Sequence, residues 1–297
     1  MGRMAVLELV GVSKDFPGVR ALKGVTVGFR PGSVHALCGE NGAGKSTLLK
    51  ILAGMYRPDS GEVTLDGKRF APASAADALS AGVSVIYQEL LLVPRLSVAE
   101  NVLLGHWPSR FGAIDRGHQA EEAGRLLKQV GLEVDVDTPV EELSISARQM
   151  VEIAKALGRE SKVIAFDEPT SSLSQREVTQ LFSVIRSLKD AGKTILYVTH
   201  RMEEVAEVCD AATVLRDGEL VRTHSQIGPG SLDSIVADMV GRDLGEVFPS
   251  VEREVGPPVL EVSGLVVPGL VEPVELELRK GEVVGVFGLV GAGRTSL

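Results

Sequence analysis

The residues Gly39-Glu40-Asn41-Gly42-Ala43-Gly44-Lys45-Ser46 satisfy the spacing G-x-x-x-x-G-K-[ST], whose physical content is a phosphate cradle. An apolar stretch precedes it and a helical run follows. Backbone N–H groups of the loop can therefore surround the β- and γ-phosphates of a nucleotide, while the helix start favours negative charge. Lys45 is placed to reach the β/γ oxygens and Ser46 to set its hydroxyl on Mg2+. The loop by itself leaves ATP and GTP open, and equally a kinase, a GTPase, a helicase or a transport motor.

A second group of residues narrows the chemistry. The apolar residues 163–166 run directly into Asp167-Glu168, and an acid at a strand end is where a further Mg2+ partner belongs in a sheet whose ligands bind at strand ends. Asp167 is expected to orient the ion through water, and Glu168 to polarise the attacking water. Gln88 follows the apolar run 83–87, where its amide can touch Mg2+ or the water. His200 follows the run 195–199, within expected reach of a γ-phosphate. The remaining histidines, His35, His106, His118 and His224, have no metal-ligand spacing.

These residues need a scaffold that delivers several strand ends to one edge. Short apolar runs at 34–38, 83–87, 163–166 and 195–198 read as strands buried on both faces, and 7–12, 21–29 and 62–65 as strands of a front sheet. Helical periodicity marks 46–53, 118–130, 146–157 and 176–188, and Ser97 with Glu100 forms a capping-box pair. The pattern predicts a parallel α/β core, antiparallel strands at the front and an inserted helical segment at about 92–160.

The chain has 297 residues, 44% hydrophobic and 24% charged, and a net charge of −9. That balance argues against a surface built as a nucleic-acid footprint, and no nucleic-acid partner is expected. Cys38 and Cys209 sit in apolar runs without disulfide or metal spacing, which fits a reducing compartment. No signal peptide or membrane-spanning stretch is visible, so a membrane role would come through a partner.

The chain also repeats its own beginning. Residues 29–48 align with 278–297 at a constant offset of 249, with eight identities in twenty positions. A period this long reads as a duplicated domain. The expected organisation is a first domain at 1–240, a linker at 241–258 containing Pro249 and Pro257-Pro258, and the opening of a second domain at 259–297. Those last 39 residues are too few for a whole sheet, so the sequence is expected to be a piece of a longer one.

Taken in order, the loop at 39–47 through Thr47, Gln88, the segment Leu143-Ser144-Ile145-Ser146-Ala147-Arg148-Gln149, Asp167-Glu168 and His200 resemble the motifs of an ABC-type ATPase subunit. More narrowly they resemble the fused double-cassette ATPases of bacterial monosaccharide importers. The resemblance implies an α/β P-loop NTPase of the ABC cassette type, with an N-terminal antiparallel β subdomain and an inserted helical subdomain. It implies ATP and Mg2+ as ligands and ATP hydrolysis that powers import at the cytoplasmic face of the cell membrane. Implied partners are transmembrane permease subunits, a solute-binding protein acting through them, and a second cassette in cis or in a homodimer. A nucleoside importer and a soluble tandem ATPase acting on ribosomes or DNA are the alternative tasks.

The same resemblance assigns Phe16 to stacking on adenine, residues 171–174 to the loop that crosses between cassettes, and Ser144 to the γ-phosphate held by the opposing cassette. It also places permease coupling on the surface from Gln88 to about Leu96. Two departures stand out. Ala147 replaces the glutamine of the sugar-importer pattern Leu-Ser-Ile-Ala-Gln, and Arg294 stands in the repeated loop where the first has Lys45. Guanidinium and ammonium are not interchangeable in a tight phosphate nest, so the Lys45 site is expected to carry most turnover.

Overall fold

The computed structural model describes residues 5–110, 112–159, 161–171, 173–241, 255–266 and 273–287. The chain opens with the antiparallel pair β1 (Leu7–Phe16) and β2 (Val19–Phe29), followed by β3 (Val34–Cys38), α1 (Lys45–Leu52), β4 (Ser60–Leu65), β5 (Lys68–Arg69) and α2 (Ala75–Ser80). Next come β6 (Val83–Ile86), α3 (Val98–Val102), the short pair β7 (Ser109–Arg110) and β8 (Ala113–Ile114), α4 (Arg116–Gln129) and α5 (Ile145–Leu157). The core resumes with β9 (Val163–Asp167), α6 (Gln175–Asp190), β10 (Thr194–Val198), α7 (Met202–Val208), β11 (Ala211–Arg216), β12 (Glu219–His224) and α8 (Ser231–Val240). A hairpin of β13 (Pro258–Leu265) and β14 (Val274–Arg279) lies in a separate compact unit, residues 244–297.

The main sheet has the order β12-β11-β3-β10-β9-β6, parallel except for β12. Every residue of β3 and β10 is buried, which is why those segments read as unbroken apolar runs rather than alternating ones. Because β3, β6, β9 and β10 run the same way, their C-terminal ends share one edge. Val198 pairs with both Leu37 and Asp167, and Ile86 with Phe166. The phosphate loop, Gln88, Asp167-Glu168 and His200 all leave the sheet along that edge, where ligands bind in open parallel sheets.

The front sheet has the order β2-β1-β4-β5. Leu7, Leu9, Leu22, Val25 and Phe29 from it pack in one core with Leu48, Leu49 and Leu52 of α1. β1 runs four residues past the expected 7–12, because Val12 and Ser13 are both buried after a register shift and break the period-2 signal. On the other side of the main sheet, α3, α4 and α5 form the inserted helical subdomain, sharing a core with α6 and Tyr197. The capping box expected at Ser97 is present: Ser97 Oγ accepts from Glu100 N–H at 3.2 Å, and the Glu100 carboxylate from Ser97 N–H at 2.9 Å. Among the described residues no helix is long and apolar enough to cross a membrane.

The β13/β14 hairpin repeats the register of β1/β2. Leu7 pairs with Phe29 and Leu9 with Val27, while Leu260 pairs with Leu278 and Val262 with Leu276. Phe29 and Leu278 are positions that the sequence alignment equates.

Near the start of β3, His35 is 2% exposed and shares a 2.8 Å hydrogen bond with Thr213 Oγ1. Burial, with a smaller contribution from Arg30, lowers its pKa to about 4. The native state therefore resists a proton that the unfolded chain accepts below about 6.5. Stability from the neutral ring is full above that pH and declines as pH falls toward about 4, by at most about 3 kcal/mol. Thermal unfolding of His35→Gln should show a shallower loss than the parent between these limits; equal slopes would contradict this.

Candidate nucleotide site

Two glycines make the loop possible. Gly39 has φ 151°, and a Cβ there would lie 2.3 Å from the Leu215 carbonyl oxygen. Gly44 has φ 103°, and a Cβ there would lie 2.6 Å from the Ala21 carbonyl oxygen. Both conditions exclude any side chain. Gly44 caps α1 without a side-chain hydrogen bond, and the first turn holds no acidic residue. The leading N–H groups of α1 thus face the cavity as an anion-binding end.

Lys45 is buried, and its ammonium donates to the carbonyls of Gly39 at 2.7 Å and Glu40 at 2.9 Å. Burial lowers its pKa, opposed by the nearby charges of Glu168 and Asp167. The Asp167 carboxyl is pushed up, first by burial and then by the adjacent Glu168, with Lys45 and Lys50 pulling the other way. A half-buried carboxylate beside a second one is short of positive charge, and a cation would relieve that. With Ser46 and Gln88 lining the same cavity, the donors are hard oxygens. Mg2+ prefers few protein ligands of this kind, completed by phosphate and water.

That cavity, of about 350 Å3, is lined by residues 41–47 together with Val19, Ala21, Gln88, Asp167 and Glu168. A second, of about 360 Å3, opens beside it between Ser46, Lys50, Tyr87, Gln88, Leu91 and Asp167. The structure thus brings the loop, both acids and Gln88 together. His200 is outside the lining but reaches it: its Nδ1 lies 3.1 Å from Glu168 Oε1. Glu168 has φ 46°, a left-handed conformation costly for a residue with a side chain, held by its N–H donating to Val198 O at 3.0 Å.

Other expected residues stand apart from the cavity. Phe16 does not line it; the ring packs edge-on against Tyr56, centroids 5.2 Å apart, with Lys14 Nζ 5.6 Å over its face. Ser144 is exposed and caps α5, its Oγ accepting Ala147 N–H at 3.2 Å. The Ser146 hydroxyl and Ser174 hydrogen-bond Glu177, holding its carboxyl below the usual range. Ser172 and the repeated loop with Arg294 lie outside the described residues.

Val19, Ala21, Lys50 and Tyr87 were not singled out from sequence. Lys50 had a signal, standing one helical turn after Ser46 on α1. The small apolar residues had none.

The segment after Gln88 is pinned by Asn101, which is fully buried. Its amide donates to the carbonyls of Val93, Leu96 and Ser97 at 3.0–3.1 Å and accepts from Val93 N–H at 2.7 Å. From that anchored segment Leu91 and Val93 project, 57% and 40% exposed. Leu92 turns inward onto the helical core.

The model of the family described as ABC transporter matches residues 22–171, just over half the chain and spanning both the loop and the acidic pair. The chain belongs to the ABC transporter family. Among curated relatives, the arabinose import ATP-binding protein AraG of Pseudomonas syringae pv. syringae (strain B728a) is 54% identical over 291 residues, covering 98% of this chain and 57% of that protein. The AraG 2 protein of Burkholderia ambifaria is 53% identical over 293 residues, covering 99% and 56%. The chain thus spans little more than half the length of the curated relatives it matches.

Solved cassettes of ABC transporters share the fold. A nucleotide-free ATP-binding cassette superposes with TM-score 0.69 at 24% identity, covering 84% of this chain and 100% of that one. A cassette in its ADP conformation gives 0.68 at 25% identity, covering 80% and 100%.

Proposed function

We propose that this cassette binds MgATP in the cavity at residues 41–47, with Gly39 and Glu40 shaping the loop from outside the lining, and hydrolyses it to power import of a monosaccharide, of the arabinose class that the relatives' names give. The observation that carries the reading is the shared cavity, lined together by Lys45, the α1 N-terminus, Asp167, Glu168 and Gln88. Ser46, Asp167 and Gln88 would hold Mg2+, which when bound neutralises phosphate charge. The ammonium of Lys45 leaves the loop carbonyls for the β/γ oxygens. Glu168, oriented by His200 Nδ1, accepts a proton from the attacking water as general base. Phe16 stacks on adenine by releasing its contact with Tyr56.

The rest of the assignment follows the same reading. Ser144 and the start of α5 would address a γ-phosphate on an opposing cassette, either a second domain in cis, opened by β13/β14, or a second copy. Leu91 and Val93 form the apolar contact for a permease, which would place the cassette at the cytoplasmic face of the membrane, with a solute-binding protein acting through the permease. Calorimetric titration with MgATP and MgGTP tests the site: the chain should bind MgATP, and more tightly than MgGTP. Strong preference for MgGTP would overturn the adenine assignment, and binding of neither would overturn the whole reading.

A further inference from the structure

Glu204 on α7 is a carboxylate in a place that packing alone would give to an apolar residue, next to buried Val205. It is 3% exposed and saturated with donors. Thr170 Oγ1 donates to its Oε1 at 2.6 Å, and Tyr197 Oη and Thr199 Oγ1 each donate to its Oε2 at 2.9 Å. Arg201 Nη1 lies 3.0 Å from Oε1, and Arg201 N–H donates to Thr199 Oγ1 at 3.0 Å. A buried acid is tolerated only when partnered in this way, and removing part of such a network leaves the remainder unpaired.

What matters is where the donors sit in the chain. Thr170 is two residues beyond Glu168, with Pro169 between them limiting the backbone. Thr199 directly precedes His200. The two segments that supply the 3.1 Å contact between Glu168 and His200 are therefore both tied to one carboxylate. Burial and the Glu204 charge push the Tyr197 phenol far up, which keeps its proton in place as a donor.

We infer that Glu204 is a positioning residue that holds Glu168 and His200 in register by anchoring Thr170 and Thr199 together. Glutamine at this position keeps the shape but turns an NH2 group toward either Thr170 and Arg201 or Tyr197 and Thr199. One half of the network then loses its acceptor.

The inference rests on the proposed ATPase reading only for its kinetic consequence, so the deciding measurement needs no nucleotide. Imidazole 15N–1H correlation spectra of the whole chain report each histidine, with His200 assigned by its loss in His200→Gln and its uncoupled position given by Glu168→Ala. In Glu204→Gln the His200 signals should move toward that uncoupled position. His35 and His224, paired with Thr213 and Asp238, should stay in place. A His200 signal unchanged in Glu204→Gln overturns the inference. Should Glu204→Gln fail to fold, seen as movement of His35, Thr199→Val cuts one link of the same tie and is judged by the same criterion. Where the parent hydrolyses ATP, Glu204→Gln should lower kcat roughly ten- to a hundredfold with KM within twofold, the signature of a misplaced group rather than lost binding. Unchanged kcat overturns it. Absence of MgATP binding by the parent would count against the ATPase reading and leave the imidazole result standing.

Discussion

Glu168→Gln is expected to bind MgATP as well as the parent while its steady-state hydrolysis falls by roughly two to four powers of ten. The two side chains have the same shape, so the left-handed backbone at φ 46° and the N–H donated to Val198 O are kept. The amide oxygen can still face His200 Nδ1, which lies 3.1 Å from the carboxylate in the parent. Basicity is what disappears, and with it the means of taking a proton from water in the transition state. The charge change has a second consequence. The adjacent Glu168 is one cause of the raised Asp167 pKa, so removing it should let Asp167 ionise more readily and leave its proposed metal-binding role intact. Calorimetry for binding and phosphate release for turnover separate the two effects. Multiple turnover at the parent rate by a folded Glu168→Gln would remove Glu168 from the chemistry.

The features legible in sequence were those written in contiguous residues. The loop at 39–46 declares itself because backbone cradles need glycine where a Cβ collides, and Gly39 and Gly44 are such places. Asp167 was legible because a fully buried parallel strand reads as an apolar run, and the acid that ends it marks the sheet edge. β11 went unrecognised although five of its six residues are buried: Ala211, Ala212 and Thr213 are too small and mixed to carry a period. Phe16 shows another limit. The family resemblance implies stacking for this residue at the end of β1, but which way a ring turns depends on Tyr56, forty residues away. The Glu204 network is the extreme case, since its donors come from the turn after β9, from β10 and from the turn between β10 and α7. No local pattern encodes that convergence.

Lys45→Ala is expected to weaken MgATP binding by about 2–5 kcal/mol, roughly thirty- to a few-thousand-fold in Kd, the usual cost of truncating one partner of a buried charged contact. The ammonium bridges the Gly39 and Glu40 carbonyls at 2.7 and 2.9 Å, at the centre of the loop proposed to hold the phosphates. Its removal also takes away a nearby cation that opposes the repulsion between Asp167 and Glu168, leaving Lys50 to act on Asp167. Anionic phosphates would then enter a cavity with a more negative wall. Lys45→Arg is the more telling variant, because it keeps the charge and copies the residue at position 294 of the repeated loop. A planar guanidinium cannot converge on two carbonyls of one tight turn as a tetrahedral ammonium does, and Gly39 has no room to yield, with the Leu215 carbonyl 2.3 Å from where its Cβ would be. Lys45→Arg should therefore bind nearly as weakly as Lys45→Ala while melting at the parent temperature. If it instead binds within threefold of the parent, charge alone suffices in this loop, and the expected division of labour between the Lys45 and Arg294 loops loses its physical basis.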